Sequence, residues 1–131
     1  MSKHLRVAAV GALFLVIAAT ATTAAWVDSA SRTTYATFNR PVALPGVELS
    51  AGTYIFELAN PHGDLNIVRV SSRDRSKIFL TAFTRIIDRP AGLPADRIVT
   101  LGEARADQPA PVKAWFPRAS GSGHEFIYHN R

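Results

Sequence analysis

The residues best suited to chemistry lie near the end of the chain, where His124 and Glu125 are adjacent and His129 follows. A metal site needs three or four such side chains directed at one point. Residues five positions apart on one extended strand point to opposite faces, so the two histidines could share a metal only if His124 lay in the preceding turn. The spacing therefore favours histidines at turns and edges, with a metal site at His124, Glu125 and His129 as the alternative.

The segment from Ser120 to His124 (SGSGH) has the residue types of a serine hydrolase. Serine catalysis requires a nucleophile oriented by a histidine that a carboxylate holds in place. The segment lacks the strand-to-helix elbow of hydrolases, and glycine-serine sequences are typical of turns. We therefore favour a non-catalytic protein without cofactors. A small secreted hydrolase or metal-dependent enzyme that uses the His124 and Glu125 region is the alternative.

Trp115 and Lys113 form one candidate binding surface. Strict alternation along a strand places them on the face opposite Val112, Ala114 and Phe116. An exposed indole offers a large contact area and one polar group to a sugar or a protein partner. The alternative is that Trp115 belongs to a second hydrophobic layer or lies under the proline-rich loops 88–96 and 104–111, which are long enough to be functional surfaces themselves.

The basic residues Arg73, Arg75 and Lys77 form a second candidate, in and beside the polar segment 71–76. They could face an acidic envelope polymer or anionic lipid headgroups. Asp74 reduces the positive charge of this segment. The alternative is a solvated hairpin tip that keeps a neighbouring strand from pairing with other chains.

The start of the chain has the pattern of an export signal. A short basic start precedes the uncharged run Val7–Ala25, whose second half is rich in small residues. We predict a signal peptide over residues 1–25, cleaved between Ala21 and Trp26, and a periplasmic or secreted protein. The alternative is an uncleaved anchor, and the segment would then be the only contact with a membrane.

Composition limits the remaining functions. The 131 residues are 47% hydrophobic and 19% charged, which permits one domain with a packed core. No cysteine is present, so disulfides, thiolate metal sites and a cysteine nucleophile are excluded. Removing the signal peptide leaves 13 basic and 10 acidic residues, a net charge of +3, with the two signs interleaved. This pattern does not fit nucleic-acid binding.

The rest of the chain predicts one all-β domain over residues 26–131. Short runs of β-branched and aromatic residues alternate with turn-forming residues about every ten positions, and no helical period is present. Seven antiparallel strands suit a β-sandwich or a small barrel. The predicted strands cover residues 33–39, 53–58, 66–70, 77–87, 97–103, 112–116 and 125–128.

The period of two also predicts which faces are buried. Tyr54, Phe56 and Leu58 share one face of their strand, which should point into the core. The strand over residues 77–87 is apolar on both faces, so we expect it to be central and covered on both sides. Pro45 and the glycine after it predict a turn.

Five segments of the chain form a recognisable pattern: Pro41-Val42, Leu44-Pro45-Gly46, Gly52-Thr53-Tyr54-Ile55-Phe56, Ala114-Trp115-Phe116-Pro117 and Gly123-His124-Glu125-Phe126-Ile127-Tyr128. Together they resemble a group of small, signal-peptide-bearing proteins of soil bacteria without an established activity. The likeness extends from about residue 33 to residue 128 and implies export and an all-β fold, with no catalytic residue.

The sequence thus predicts an exported, non-catalytic β-sandwich of the bacterial envelope. It would act as a binding or structural module for a protein or a polymer partner.

Overall fold

The computed structural model describes residues 33–129, which form nine strands and no helix. The predicted signal peptide and its cleavage site lie outside these residues, and no membrane-spanning helix is found within them. The all-β class is therefore confirmed. The strands are β1 (Thr33–Phe38), β2 (Val42–Leu44), β3 (Val47–Leu49), β4 (Gly52–Leu58), β5 (Ile67–Ser72), β6 (Ile78–Asp88), β7 (Val99–Leu101), β8 (Ala110–Trp115) and β9 (Ser122–Phe126).

The nine strands form one open mixed sheet. Their order is β1-β4-β5-β6-β9-β8-β2-β3, and β7 pairs with β8. All pairs are antiparallel except β2 with β8, which run parallel through Val42 and Ala110. The Tyr128 hydroxyl lies 2.7 Å from the Val112 carbonyl oxygen and 3.1 Å from that of Ala43, at the place where β8 leaves β9 and meets β2.

Each of the seven predicted strands overlaps an observed one, and the hairpin β2–β3 was not predicted. The predicted turn is present between these two strands, with Gly46 at φ 74°, a conformation that glycine adopts without steric cost. Strands of three residues are too short to show alternation, which is why only the turn between them could be predicted.

The core joins strands that are distant within the sheet. The Phe56 ring on β4 lies 6.3 Å from the Trp115 ring on β8, although β5, β6 and β9 separate these strands in the sheet order. Neighbouring strands are about 4.8 Å apart, so the sheet must curve back on itself to bring these rings together. Val42, Leu44 and Leu49 of the hairpin join the same core cluster.

The prediction that the 77–87 strand is covered on both faces was wrong. A bulge shifts the register between β5 and β6, so that Ser71 pairs with Ile78 and Val70 with Leu80. The extra residue, Phe79, turns toward the core, where its ring lies 5.4 Å from that of Tyr54. Ile78 and Phe83 point away from the core and are 57% and 64% exposed.

Candidate functional site

Trp115 belongs to the core, so the expectation that its indole is exposed on the outer face of the strand was wrong. Leu101 of β7 pairs with Val112 and Thr100 with Ala114, so Lys113 is the extra residue of a bulge in β8. A bulge changes the side to which the following residues point. Val112 and Trp115 therefore both join the core cluster, and the indole is 0% exposed. Lys113 is the one exposed residue of β8.

The structure separates His124, Glu125 and His129. The imidazole of His124 faces the interior and stacks on the Trp115 indole, with ring centroids 5.2 Å apart. Glu125 points to the opposite face, where its carboxylate lies 3.8 Å from the Arg85 guanidinium. His129 is exposed beyond the end of β9. Residues 33–129 contain no group of three potential metal ligands, and these three side chains do not form one.

The serine-rich segment does not form a catalytic triad within the described chain. The His124 Nδ1 atom bonds to the hydroxyl of Thr84 at 3.2 Å. The hydroxyls of Ser120 and Ser122 lie 3.4 Å from each other. Because the carboxylate of Glu125 is on the other face, no nucleophile, base and acid converge at this point.

The basic hairpin is tied to the sheet. Arg75, at φ 63°, reaches back to Glu57 on β4, and its guanidinium lies 2.6 Å from that carboxylate, which raises the pKa of Arg75. The ammonium of Lys77 lies 4.9 Å from the centre of the Phe79 ring, and Arg73 is exposed. Hydrogen bonds from Ser76 and Ser72 lower the pKa of Asp74 to about 2. Arg75 and Lys77 thus contact side chains of the sheet, and all three cations of the hairpin are exposed.

One extended concave surface is a groove that sequence reasoning missed. It consists of two cavities of about 630 Å³ and about 290 Å³ that share Phe38, Asn39 and Leu101. The smaller cavity is bounded by β1 on one side and by β7 with the preceding residues Asp96–Ile98 on the other. The larger cavity is bounded by the loop Gly102–Pro109. We call this continuous surface the β1–β7 groove.

Two strands that each have one edge without a partner among residues 33–129 line the β1–β7 groove. Within residues 33–129, β1 pairs only with β4 and β7 pairs only with β8. The outer edge of each strand therefore presents backbone N–H and C=O groups without a ladder partner. The wall beside β7 is held in place by Arg89, whose guanidinium donates to the carbonyl oxygens of Pro94 at 2.6 Å and Arg97 at 2.9 Å.

The lining of the groove is apolar at its centre and charged at its wide end. Leu101, at its centre, is 48% exposed. The wide end carries two cations and two anions, all exposed, so it offers salt-bridge partners of both signs. These four residues are Arg40, Arg105, Glu48 and Asp107.

The sequence contained one signal for this groove. The proline-containing segment Ala104–Pro111 is long enough to be a functional loop, and it forms one wall. The other wall comes from β1, about 60 residues earlier in the chain, and nothing in the local sequence indicates that the two meet.

Searches with protein-family models, against curated proteins and against solved structures found no match to this chain. The resemblance to small secreted proteins of soil bacteria stays a prediction.

Proposed function

We propose that this protein is an exported, non-catalytic binding module of the bacterial envelope that captures an extended segment of a protein partner in the β1–β7 groove. The observation that carries the proposal is that β1 and β7, each with one edge that has no strand partner among residues 33–129, line the same groove. An extended peptide added to such an edge gains main-chain hydrogen bonds, and pockets for alternate side chains give selectivity.

The groove also fits the side chains of such a segment. Successive side chains of a strand point to opposite sides, so every second residue of the peptide would face Phe38, Val99 and Leu101. Apolar residues at those positions would bury the exposed surface of Leu101. Charged residues at one end of the peptide would meet Arg40 and Asp107.

Three further parts of the proposal are export, the β-sandwich architecture and the absence of catalysis. Export is supported by the short basic start and the uncharged run Val7–Ala25. A β-sandwich, in which the curved sheet forms two layers, is supported by the contact between Phe56 and Trp115. A non-catalytic role is favoured over the enzyme alternative because His124 and Glu125 point to opposite faces.

A library of random linear seven-residue peptides displayed on phage tests the groove. We expect selection against residues 26–131 to enrich peptides with apolar residues at alternate positions. Leu101→Glu should weaken binding of the selected peptides at least tenfold, because it places a charge at the apolar centre of the groove.

Phe83→Glu is the matched control, since Phe83 is equally apolar and 64% exposed but lies on the outer face of β6. It should leave binding unchanged. Failure to enrich any sequence, or equal loss of binding in the two variants, would contradict the proposed function.

A further inference from the structure

A second, smaller cleft lies at the other end of the fold. It has a volume of about 160 Å³ and is lined by Leu58 at the end of β4 and Trp115 at the end of β8. The β1–β7 groove instead includes Phe38, which pairs with the first residue of β4, and Ala110, the first residue of β8. The two concave surfaces are therefore separate.

One pair of stacked rings lines this cleft. The imidazole of His124 and the indole of Trp115 are inclined by 23° with centroids 5.2 Å apart. Leu58, Leu65 and Ile86 are its large aliphatic lining residues, and Ile86 is 50% exposed. The aliphatic side chains of Leu65 and Ile86 are thus the solvent-exposed part of the cleft, and the stacked rings form its buried inner side, with Trp115 0% and His124 7% exposed.

The hydrogen bonds of His124 define its tautomer. Thr84 Oγ1 lies 2.7 Å from the carbonyl oxygen of Asn66, which can only accept, so the single hydroxyl proton of Thr84 is directed there. Thr84 Oγ1 must then accept at 3.2 Å from His124 Nδ1, which carries the ring proton. The other nitrogen, Nε2, is left with a lone pair and acts as an acceptor.

The acceptor nitrogen has no hydrogen-bond donor among residues 33–129. His124 is one of the residues that line the cleft, and 7% of its surface is exposed. Burial also lowers the pKa of His124, which keeps the ring neutral at pH 7.

We infer that this cleft is a binding site for a small aromatic alcohol, whose ring lies against the aliphatic wall and whose hydroxyl donates to His124 Nε2. The volume is suited to one six-membered ring, since an apolar protein cavity of about 150 Å³ binds benzene. The hydroxyl supplies the donor that the buried acceptor lacks. Ser120 and Ser122, also in the lining, can bond to the oxygen of the same group.

Phenol is the test compound, and nuclear magnetic resonance of residues 26–131 is the measurement. We expect saturable shifts at Ile86 and His124, with the signal of His124 Nε2 moving as it accepts a hydrogen bond while Nδ1 stays protonated. Benzene fills the same space without a donor and should bind about three- to tenfold more weakly.

Two variants on the same strand control the test. Ile86→Glu places a carboxylate in the cleft and should weaken phenol binding at least tenfold. Ile78→Glu changes a side chain of similar exposure on the outer face of β6 and should have no effect. Circular dichroism verifies that both variants fold. Absence of saturable shifts, equal binding of benzene, or equal affinity in the two variants would overturn the assignment.

Discussion

Replacing Trp115 by alanine should destabilise the protein severely, because the indole is 0% exposed and contacts rings from two other strands. A buried tryptophan removes about 150–250 Å² from water, which at about 25 cal/mol per Å² contributes about 4–6 kcal/mol. Measured losses for such truncations are about 3–5 kcal/mol. We expect the free energy of unfolding to fall by about 4 kcal/mol, a large part of the total for a domain of this size.

Urea unfolding followed by circular dichroism measures this loss. Lys113→Ala is the matched control, because this exposed neighbour should change the free energy of unfolding by no more than about 0.5 kcal/mol. Trp115→Phe should lose less than half as much as Trp115→Ala. The phenylalanine ring still fills most of the space that the indole occupies in the core. The substitution also removes an indole N–H that has no hydrogen-bond partner among residues 33–129.

The reasoning would be refuted if Trp115→Ala lost less than about 1 kcal/mol with an unchanged dependence on urea. Such a result would mean that the indole is exposed, as strict alternation along β8 predicts, and that the bulge at Lys113 is absent.

Gly123→Ala should lose more than about 2 kcal/mol in urea unfolding, because the added methyl group would overlap the ring of Phe116 and lie 2.8 Å from the carbonyl oxygen of Trp115; Gly121→Ala, with open space around it, should be nearly neutral. The pKa of His124 is lowered by burial below its ordinary value of 6.5, so the unfolded state takes up the proton first; stability is fully present above pH 6.5 and declines as the pH falls toward the folded value. The free energy of unfolding should be lower at pH 5.5 than at pH 7.5, and His124→Leu should abolish this difference. If the difference persists in His124→Leu, another group is responsible for it. Burial raises the pKa of Tyr128 to about 12, so an ultraviolet titration should show one tyrosine ionising late, and Tyr128→Phe should remove that step and cost about 1 kcal/mol.

The alternation of side chains predicted most strands and the buried face of β4, because each of these runs is long enough to show a period of two. Tyr54 and Phe56 lie in the core as expected. The hairpin β2–β3 was missed because its strands are too short, and the two errors in the direction of side chains involve bulges. One turns Phe79 inward and the other turns Trp115 inward, and a single extra residue leaves no mark in the amino-acid pattern.

The candidate sites were harder to predict than the strands because they depend on contacts between distant segments. Phe38 and Leu101 line the same groove only because the curved sheet brings β1 and β7 close to each other. The tautomer of His124 depends on Thr84, which is 40 positions earlier in the chain. Local sequence could supply the residue types of these sites but not their partners.

Amide hydrogen exchange along β1 and β7 tests the proposed groove most directly. Strand addition predicts that the outward amides of one edge, either those of Thr33–Phe38 that do not bond to β4 or those of Val99–Leu101 that do not bond to β8, exchange rapidly in the free protein and become protected when a selected peptide binds. Binding of that peptide with no change in exchange along either β1 or β7 would contradict strand addition and place the peptide elsewhere on the protein.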